Sequence, residues 1–256
     1  MPLHVLFVST AAVLQPSGMR RRQLLQGSAA AWTTSAAGVF IPSVQPAVAA
    51  SAVAKKPETN EVVRVVDGVR QKRLGGSGII VSEMGLGTQR WGSADFNAPN
   101  EELCHKFMDR AILGSGINLI DTAEQYPIPS DGPRPEGSTE LIIGSWLRKD
   151  PSRRRKVVIA SKITGGDNVN KRNIIADCEA SLRRLGTDYL DVYMLHWPAR
   201  YTPQANWGQS LEYNQQMQAV IGPSASFEEI AGAMGELVKA GKIRGWGMCN
   251  DNACKC

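Results

Sequence analysis

The chain is poor in the residues that build metal centres and disulfide frameworks. Its 256 residues include only three histidines and five cysteines. The cysteines are Cys104, Cys178, Cys249, Cys254 and Cys256, and neither their spacing nor their odd number is typical of a zinc site or a disulfide framework. We therefore expect no metal site, and we expect Cys104 and Cys178 to lie on apolar helix faces as small hydrophobic residues.

Two glycine signatures of nucleotide binding are also missing. No Gly-x-Gly-x-x-Gly links the first strand with its helix, and the glycine cluster at 75–78 lacks a Gly-Lys-Ser/Thr ending. These absences argue against a Rossmann domain and a P-loop, and they favour a β-hairpin over residues 74–81. The apolar runs near the N-terminus fall short of the ~18–20 residues of a membrane span, so no transmembrane helix is predicted.

Acidic residues are absent from the first fifty positions, which have the features of a targeting presequence. The arginines at 20–22 give this segment +3 of the net charge of +5, so the rest of the chain offers little support for nucleic-acid binding. Two arginines and two leucines at 21–25, followed by a small-x-small pattern at 47–49, resemble a twin-arginine export signal with its cleavage site.

An apolar segment at 3–14 precedes that signal, which favours two-part delivery to a plastid, with the thylakoid lumen as one destination. A bacterial export signal to the periplasm and a mitochondrial transit peptide stay open as alternatives. Residues 51–71 are interpreted as a linker with a strand-like piece at Val62–Val66, and residues 72–256 as the folded domain.

The folded domain alternates apolar strands with amphipathic helices. Predicted strands lie at 84–88, 118–121, 157–162, 190–196 and 243–248. Predicted helices follow Asn100, Ser138 or Thr139, and Asn170, whose side chains can cap them, and a fourth helix begins at Ser226. This alternation predicts an α/β fold with a parallel sheet and right-handed crossovers, although it does not choose between an open sheet and a barrel.

Reactive side chains stand where three successive strands end. Asp121 ends one strand and Tyr126 lies in its loop, while Lys162 and His196 end the next two. The carboxyl ends of parallel strands are where active sites form, and this pattern fits a barrel with one site.

Together these four residues could catalyse the reduction of a carbonyl group by a hydride donor. Tyr126 would be a general acid, and the ammonium of Lys162 would lower its pKa from about 10. Asp121 would hold Lys162, His196 would donate a hydrogen bond to a substrate oxygen, and a cofactor would supply a hydride. Taken singly, the same residues are more often caps, solvated charges or structural groups. Lys162 could also be the Schiff-base nucleophile of an aldolase-like barrel.

The chain resembles the aldo-keto reductase superfamily over roughly residues 72–253. The matching stretches stand in the family's order and spacing at 85–88, 116–126, 161–162, 184–191, 195–198 and 241–250. A proline-rich insertion after Tyr126 is similar to the branch that includes the bacterial Tas protein. The resemblance implies a (β/α)8 TIM barrel that binds NADP(H) and reduces small aldehydes or ketones to alcohols.

The resemblance also implies roles for single residues. It makes Tyr126 the general acid, Lys162 and Asp121 its tuning pair, and His196 the group that orients the substrate. It places Thr88, Asp121 and Asn250 at the cofactor, with Cys249 where the family commonly has Ser. Trp91 and Trp197, together with Tyr201 and Trp207, suggest an aromatic mouth that contacts the substrate, and aromatic residues that merely pack a surface loop stay open as the alternative.

Residues 72–256 supply five predicted strands and four helices, whereas a complete barrel has eight of each. We therefore interpret the domain as a C-terminally truncated barrel that begins with a β-hairpin. Two alternatives to an active reductase follow from this interpretation. One is a reductase-like binding or regulatory module, and the other is an inactive truncated product.

Overall fold

The computed structural model describes residues 61–199 and 225–250, together with the backbone of two short strands between them. The predicted presequence, the first ten residues of the linker, Tyr201 and Trp207 lie outside the described residues. Within the described part of the chain, no helix combines the length and the apolar character needed to cross a bilayer.

A small antiparallel sheet comes first in the described chain. Its strands are β1 (Val62–Val66), β2 (Val69–Arg73) and β3 (Ile80–Ser82), in that spatial order. β2 and β3 pair across the glycine-rich turn, where the Leu74 N–H donates to the Ile79 carbonyl at 2.9 Å, so the predicted hairpin is confirmed. The linker interpretation therefore covers β1 and part of β2, which are regular strands.

The main sheet has five parallel strands in the described chain. They are β4 (Gly85–Gly87), β5 (Leu119–Asp121), β6 (Val158–Ile163), β7 (Leu190–Leu195) and β10 (Ile243–Met248), and the short antiparallel pair β8 (Gln204–Ala205) and β9 (Gly208–Gln209) lies between the last two in sequence. The spatial order is β10-β7-β6-β5-β4, so each strand lies beside its predecessor. That sequential order is the winding of a TIM barrel, whereas a doubly wound sheet reverses its strand order.

Helices connect these strands as the sequence predicts. α1 (Glu101–Met108) continues as a π-helical segment, Asp109–Leu113, and is followed by α2 (Ser138–Arg148), α3 (Lys171–Leu185) and α4 (Phe227–Lys239). The predicted caps Asn100 and Asn170 are confirmed, because each side chain accepts the backbone N–H three residues later at 2.9 Å. Ser226, the predicted start of the fourth helix, caps it in the same way at 3.1 Å. Such caps satisfy backbone donors that the first helical turn leaves unpaired.

The predicted cap of α2 is wrong. Gly137 occupies the N-cap position with φ of 86°, and no side chain caps the helix there. The Ser138 hydroxyl instead donates to the Pro135 carbonyl at 2.6 Å, and the Thr139 hydroxyl donates to the Trp91 carbonyl at 2.9 Å. Both hydroxyls are therefore used to hold the preceding loops.

The core lies between the parallel sheet and its helices. Ile120 and Ile159 on the sheet, and Trp146 and Met234 on the helices, are fully buried there. Cys104 and Cys178 are also fully buried, and burial raises the pKa of each thiol to about 12. Their predicted place as small hydrophobic residues on inward helix faces is confirmed.

α2 and α3 approach each other at Gly144. A Cβ atom at this position would lie 2.4 Å from the Arg184 carbonyl oxygen and 2.9 Å from that of Leu185. We expect Gly144→Ala to lower the free energy of unfolding in urea by about 1–3 kcal/mol through overpacking. The matched control is Gly232→Ala in α4, where a Cβ meets nothing within 4 Å. That substitution should stabilise the fold by about 0.5–1 kcal/mol, and equal effects at the two glycines would contradict the packing.

Candidate active site

Side chains from three adjacent strands meet at the carboxyl edge of the main sheet. Asp121 ends β5, Lys162 is the penultimate residue of β6, and His196 directly follows β7. Tyr126 reaches the same place from the loop after β5. Their exposed fractions are 7% for Asp121, 3% for Lys162, and 6% each for His196 and Tyr126. The structure thus brings together the four residues that the sequence singles out, and it buries them.

Lys162 and Asp121 form a buried ion pair. The Lys162 Nζ lies 2.8 Å from Asp121 Oδ1, and it donates hydrogen bonds to Oδ2 at 2.9 Å and to the Thr122 carbonyl at 2.8 Å. Burial alone would lower the pKa of Lys162, but the neighbouring Asp121 carboxylate raises it above its usual value, with a smaller contribution from the Tyr126 side chain. Lys162 therefore stays an ammonium at neutral pH, which argues against a Schiff-base nucleophile, since that role needs the free amine.

Tyr126 lies against both Lys162 and His196. The Lys162 Nζ is 5.0 Å from the centroid of the Tyr126 ring, and the His196 ring packs edge-on at 5.5 Å between centroids. Burial raises the pKa of Tyr126, and the opposing effect of Lys162 is smaller. Lys162 thus lowers this pKa in the expected direction, but burial outweighs it and the net shift is upward. Tyr126 keeps its proton throughout the neutral range, as a general acid must.

His196 is a neutral imidazole in this setting. Burial first, and the positive charge of Lys162 second, lower its pKa to about 3. Its Nδ1 atom is buried and has no hydrogen-bond partner among the described residues. A neutral imidazole has one N–H donor and one acceptor nitrogen. His196 can therefore donate a hydrogen bond to a substrate oxygen, but it lacks the acidic proton of an imidazolium that could be transferred.

Thr88 and Asn250, which are predicted to contact the cofactor, both support the backbone of the site. The Thr88 hydroxyl donates to the Asp121 carbonyl at 2.8 Å, and its backbone N–H donates to the same oxygen at 3.2 Å. The Asn250 Nδ2 donates to the His196 carbonyl at 2.8 Å. Both residues therefore border the cluster, and their contact with a cofactor stays a prediction.

The two tryptophans predicted to contact substrate lie in different places. Trp197 stacks on His196, with 6.0 Å between ring centroids, and it lies so close to Gly165 that a Cβ there would fall 2.2 Å from Trp197 Cβ. Trp91 belongs to the core, where its ring packs 6.2 Å from that of Phe107. The structure thus brings Trp197 to the cluster and directs Trp91 inward. A substrate contact by either stays a prediction.

Two more residues lie beside the cluster: Cys249, which the resemblance already places next to Asn250, and Glu124, which sequence reasoning missed. Cys249 lies near enough to Lys162 and Asp121 for their charges to act on its thiol, whose pKa is raised mainly by burial. Glu124 joins the loop after β5 to the end of β6 through its backbone N–H and its carboxylate. Its position in the loop between Asp121 and Tyr126 is the only signal that the sequence offers.

A separate cavity of about 510 Å³ lies at the other end of the strands. Its lining includes Arg64 and Gln71 of the small sheet and Asn118, Val157 and Tyr189, which precede parallel strands. None of the four clustered residues lines it, so it is not part of the candidate active site. No group of three or more potential metal ligands occurs in the described portion of the chain.

Residues 83–255 match the Aldo/keto reductase family, and the chain belongs to that family. It is 40% identical over 194 residues to Protein tas of Escherichia coli, a match that covers 71% of this chain and 52% of the relative. It is 36% identical over 141 residues to the methylglyoxal reductase YeaE of E. coli, covering 55% of this chain and 37% of the relative. The chain thus spans about half the length of Tas.

Solved structures give a similar result. An aldo-keto reductase from Klebsiella pneumoniae, crystallised with NADPH, is 31% identical in sequence with a TM-score of 0.43, over 66% of this chain and 45% of that one. A TM-score this low does not transfer positions between the structures. Family membership and the sequential parallel sheet together define the fold as α/β of the (β/α)8 TIM-barrel type, with five of its strands described here.

Proposed function

We propose that this protein is an NADP(H)-dependent oxidoreductase that reduces an aldehyde or ketone to an alcohol, with Tyr126 as the general acid. The observation that carries the proposal is the buried cluster of Tyr126, Lys162, Asp121 and His196 at the carboxyl edge of the sheet. Family membership and the similarity to a methylglyoxal reductase support the same class of reaction. Delivery to a plastid rests on the sequence features of residues 1–50 alone and stays a prediction.

Each clustered residue has one task in this reaction. A substrate carbonyl oxygen accepts hydrogen bonds from the Tyr126 hydroxyl and from the His196 ring N–H. As negative charge develops on that oxygen, Tyr126 donates its proton, and the Lys162 ammonium stabilises the phenolate that remains. Asp121 keeps Lys162 charged and in place through the 2.8 Å contact. NADPH, when bound, supplies the hydride to the carbonyl carbon.

The described residues fit the nicotinamide end of such a cofactor. Asn250 follows β10 at the edge of the cluster, and its Nδ2 is fixed by the His196 carbonyl. Its Oδ1 has no hydrogen-bond partner among the described residues, and an amide oxygen can accept a hydrogen bond from the carboxamide of a nicotinamide ring. Thr88 and Asp121 border the same place. Membership of the Aldo/keto reductase family supports the choice of a nicotinamide cofactor.

Thermal melting and turnover of the full chain test this proposal together. At a NADPH concentration of about 100 Kd, ligand binding should stabilise the fold by about 2.7 kcal/mol, which raises Tm by several degrees. Addition of a small aldehyde should then oxidise NADPH. A Tm shift without oxidation would support the binding-module alternative instead, and neither effect would support the inactive product. NADH in place of NADPH tests the preference for the 2′-phosphate.

A further inference from the structure

Glu124 is a partly buried carboxyl group beside the cluster, and the proposed reaction does not use it. Its backbone N–H donates to the Lys162 carbonyl at 3.2 Å, and its Oε1 accepts the backbone N–H of Thr164 at 2.6 Å. β5 and β6 pair as regular strands only as far as Asp121 and Ala160. Beyond that point, the two hydrogen bonds of Glu124 connect the loop after β5 with Lys162 and with Thr164, the first residue after β6.

The same residue lies inside the turn that delivers Tyr126. The Tyr126 N–H donates to the Ala123 carbonyl at 3.1 Å, so Glu124 and Gln125 are the two central residues of that turn. The hydrogen bond between Ala123 and Tyr126 closes this β-turn, so a displacement of Glu124 moves Tyr126 with it. A change in the place of the Glu124 side chain would therefore act on the turn that carries Tyr126, whose far side is held by the Gly137 N–H at 2.8 Å from the Tyr126 carbonyl.

We propose that Glu124 is a positioning residue, which fastens the Tyr126 turn to the end of β6 and so holds the Tyr126 hydroxyl beside Lys162. This inference rests on the proposed function, because it concerns the same general acid. Misplacement of a reacting group by about 1 Å can reduce a rate about 10²-fold, so a group that touches no substrate can still control kcat.

The charge on Glu124 should change within the neutral range. Burial raises its pKa to about 7, the Thr164 N–H opposes that effect, Asp177 of α3 adds to it and Arg184 of α3 opposes it. Tyr193 of β7 faces the same group. Because the folded-state pKa lies above that of the unfolded chain, the protonated carboxyl favours the fold. That contribution is complete below the unfolded value of about 4.3 and is lost as the pH rises through about 7.

Two substitutions in the full chain separate positioning from general stability. Glu124→Gln keeps an acceptor for Thr164 and carries no charge, so it should keep kcat within a few-fold of the wild type and should remove any change of kcat that has its midpoint near pH 7. Glu124→Ala removes the acceptor and should lower kcat about 10-fold to 10²-fold, with little change in KM. Glu136→Gln is the matched control, because Glu136 lies in the same loop and burial also raises its pKa. Its pH profile should follow that of the wild type.

Nuclear magnetic resonance provides a readout that does not depend on turnover. The Thr164 amide proton and the Tyr126 ring resonances should both shift with a midpoint near pH 7 in the wild type, and neither should do so in Glu124→Gln. That pair of results supports the coupling even if the chain reduces no aldehyde, a failure that would count against the proposed function alone. A Thr164 shift without a Tyr126 response, or a Glu124→Gln variant with the wild-type pH profile, would overturn the inference.

Discussion

Replacement of Tyr126 by Phe should lower kcat for aldehyde reduction by about 10²–10⁴-fold, the usual contribution of a general acid. The substitution removes the hydroxyl that donates the proton and keeps the ring that packs against His196 at 5.5 Å. The fold and the NADPH-dependent rise in Tm should therefore be preserved. Steady-state oxidation of NADPH with a small aldehyde, together with thermal melting of the same samples, measures both effects.

Tyr193→Phe is the matched control for that experiment. Tyr193 is fully buried on β7, and its hydroxyl has no hydrogen-bond partner in the part of the chain that the structure describes. Removal of a buried, unpaired hydroxyl should leave stability equal or slightly higher, and kcat should not change. If Tyr126→Phe, like Tyr193→Phe, retained the kcat of the wild type, Tyr126 would not be the general acid.

Separate removal of either partner of the Lys162–Asp121 pair should lower the free energy of unfolding by about 3–5 kcal/mol. Lys162→Met leaves the Asp121 carboxylate buried without a counter-ion, and Asp121→Asn leaves the Lys162 ammonium in the same position. The double variant removes both charges, so its loss should be clearly smaller than the sum of the two single losses. All three variants should lose reductase activity, since none retains the charged Lys162 held by Asp121. Urea denaturation measures the free energies.

An exposed lysine–carboxylate ion pair is the control for the single and double variants of Lys162 and Asp121. Lys106 and Glu102 are 2.7 Å apart on α1, and their side chains are 67% and 75% exposed. Lys106→Met and Glu102→Gln should each change stability by less than about 1 kcal/mol, because solvent screens the charges. A Lys162→Met variant as mild as Lys106→Met would show that the pair is not buried in solution.

The fold is largely predictable from local patterns. β6 and β7 are buried at every position, and continuous apolar runs in the sequence predict both strands to within one residue at each end. Asn100 and Asn170 act as caps because the rule is local: a short polar side chain meets a backbone N–H three residues later. Asp121, Lys162 and His196 lie together because the carboxyl ends of parallel strands meet at one edge of the sheet.

Other features depend on contacts that the sequence does not reveal. The Ser138 hydroxyl donates to the Pro135 carbonyl and so does not cap α2. Gly137 occupies the N-cap position instead, because contacts within the loop outweigh capping. The direction of the pKa shift of Tyr126 depends on how deeply the ring is buried, and burial outweighs the charge of Lys162. Glu124 could not be found from its position, since only the folded chain brings Thr164 within 2.6 Å of it.

The four residues at the strand edge should form a site where hydride passes from NADPH to a carbonyl carbon. The most direct measurement uses NADPH deuterated at C4 of the nicotinamide, a small aldehyde and the full chain, followed by mass spectrometry of the alcohol. The expected result is an alcohol that carries deuterium on its carbinol carbon, and far less of it with Tyr126→Phe. An alcohol without deuterium, or no alcohol beyond that formed without protein, would contradict the claim.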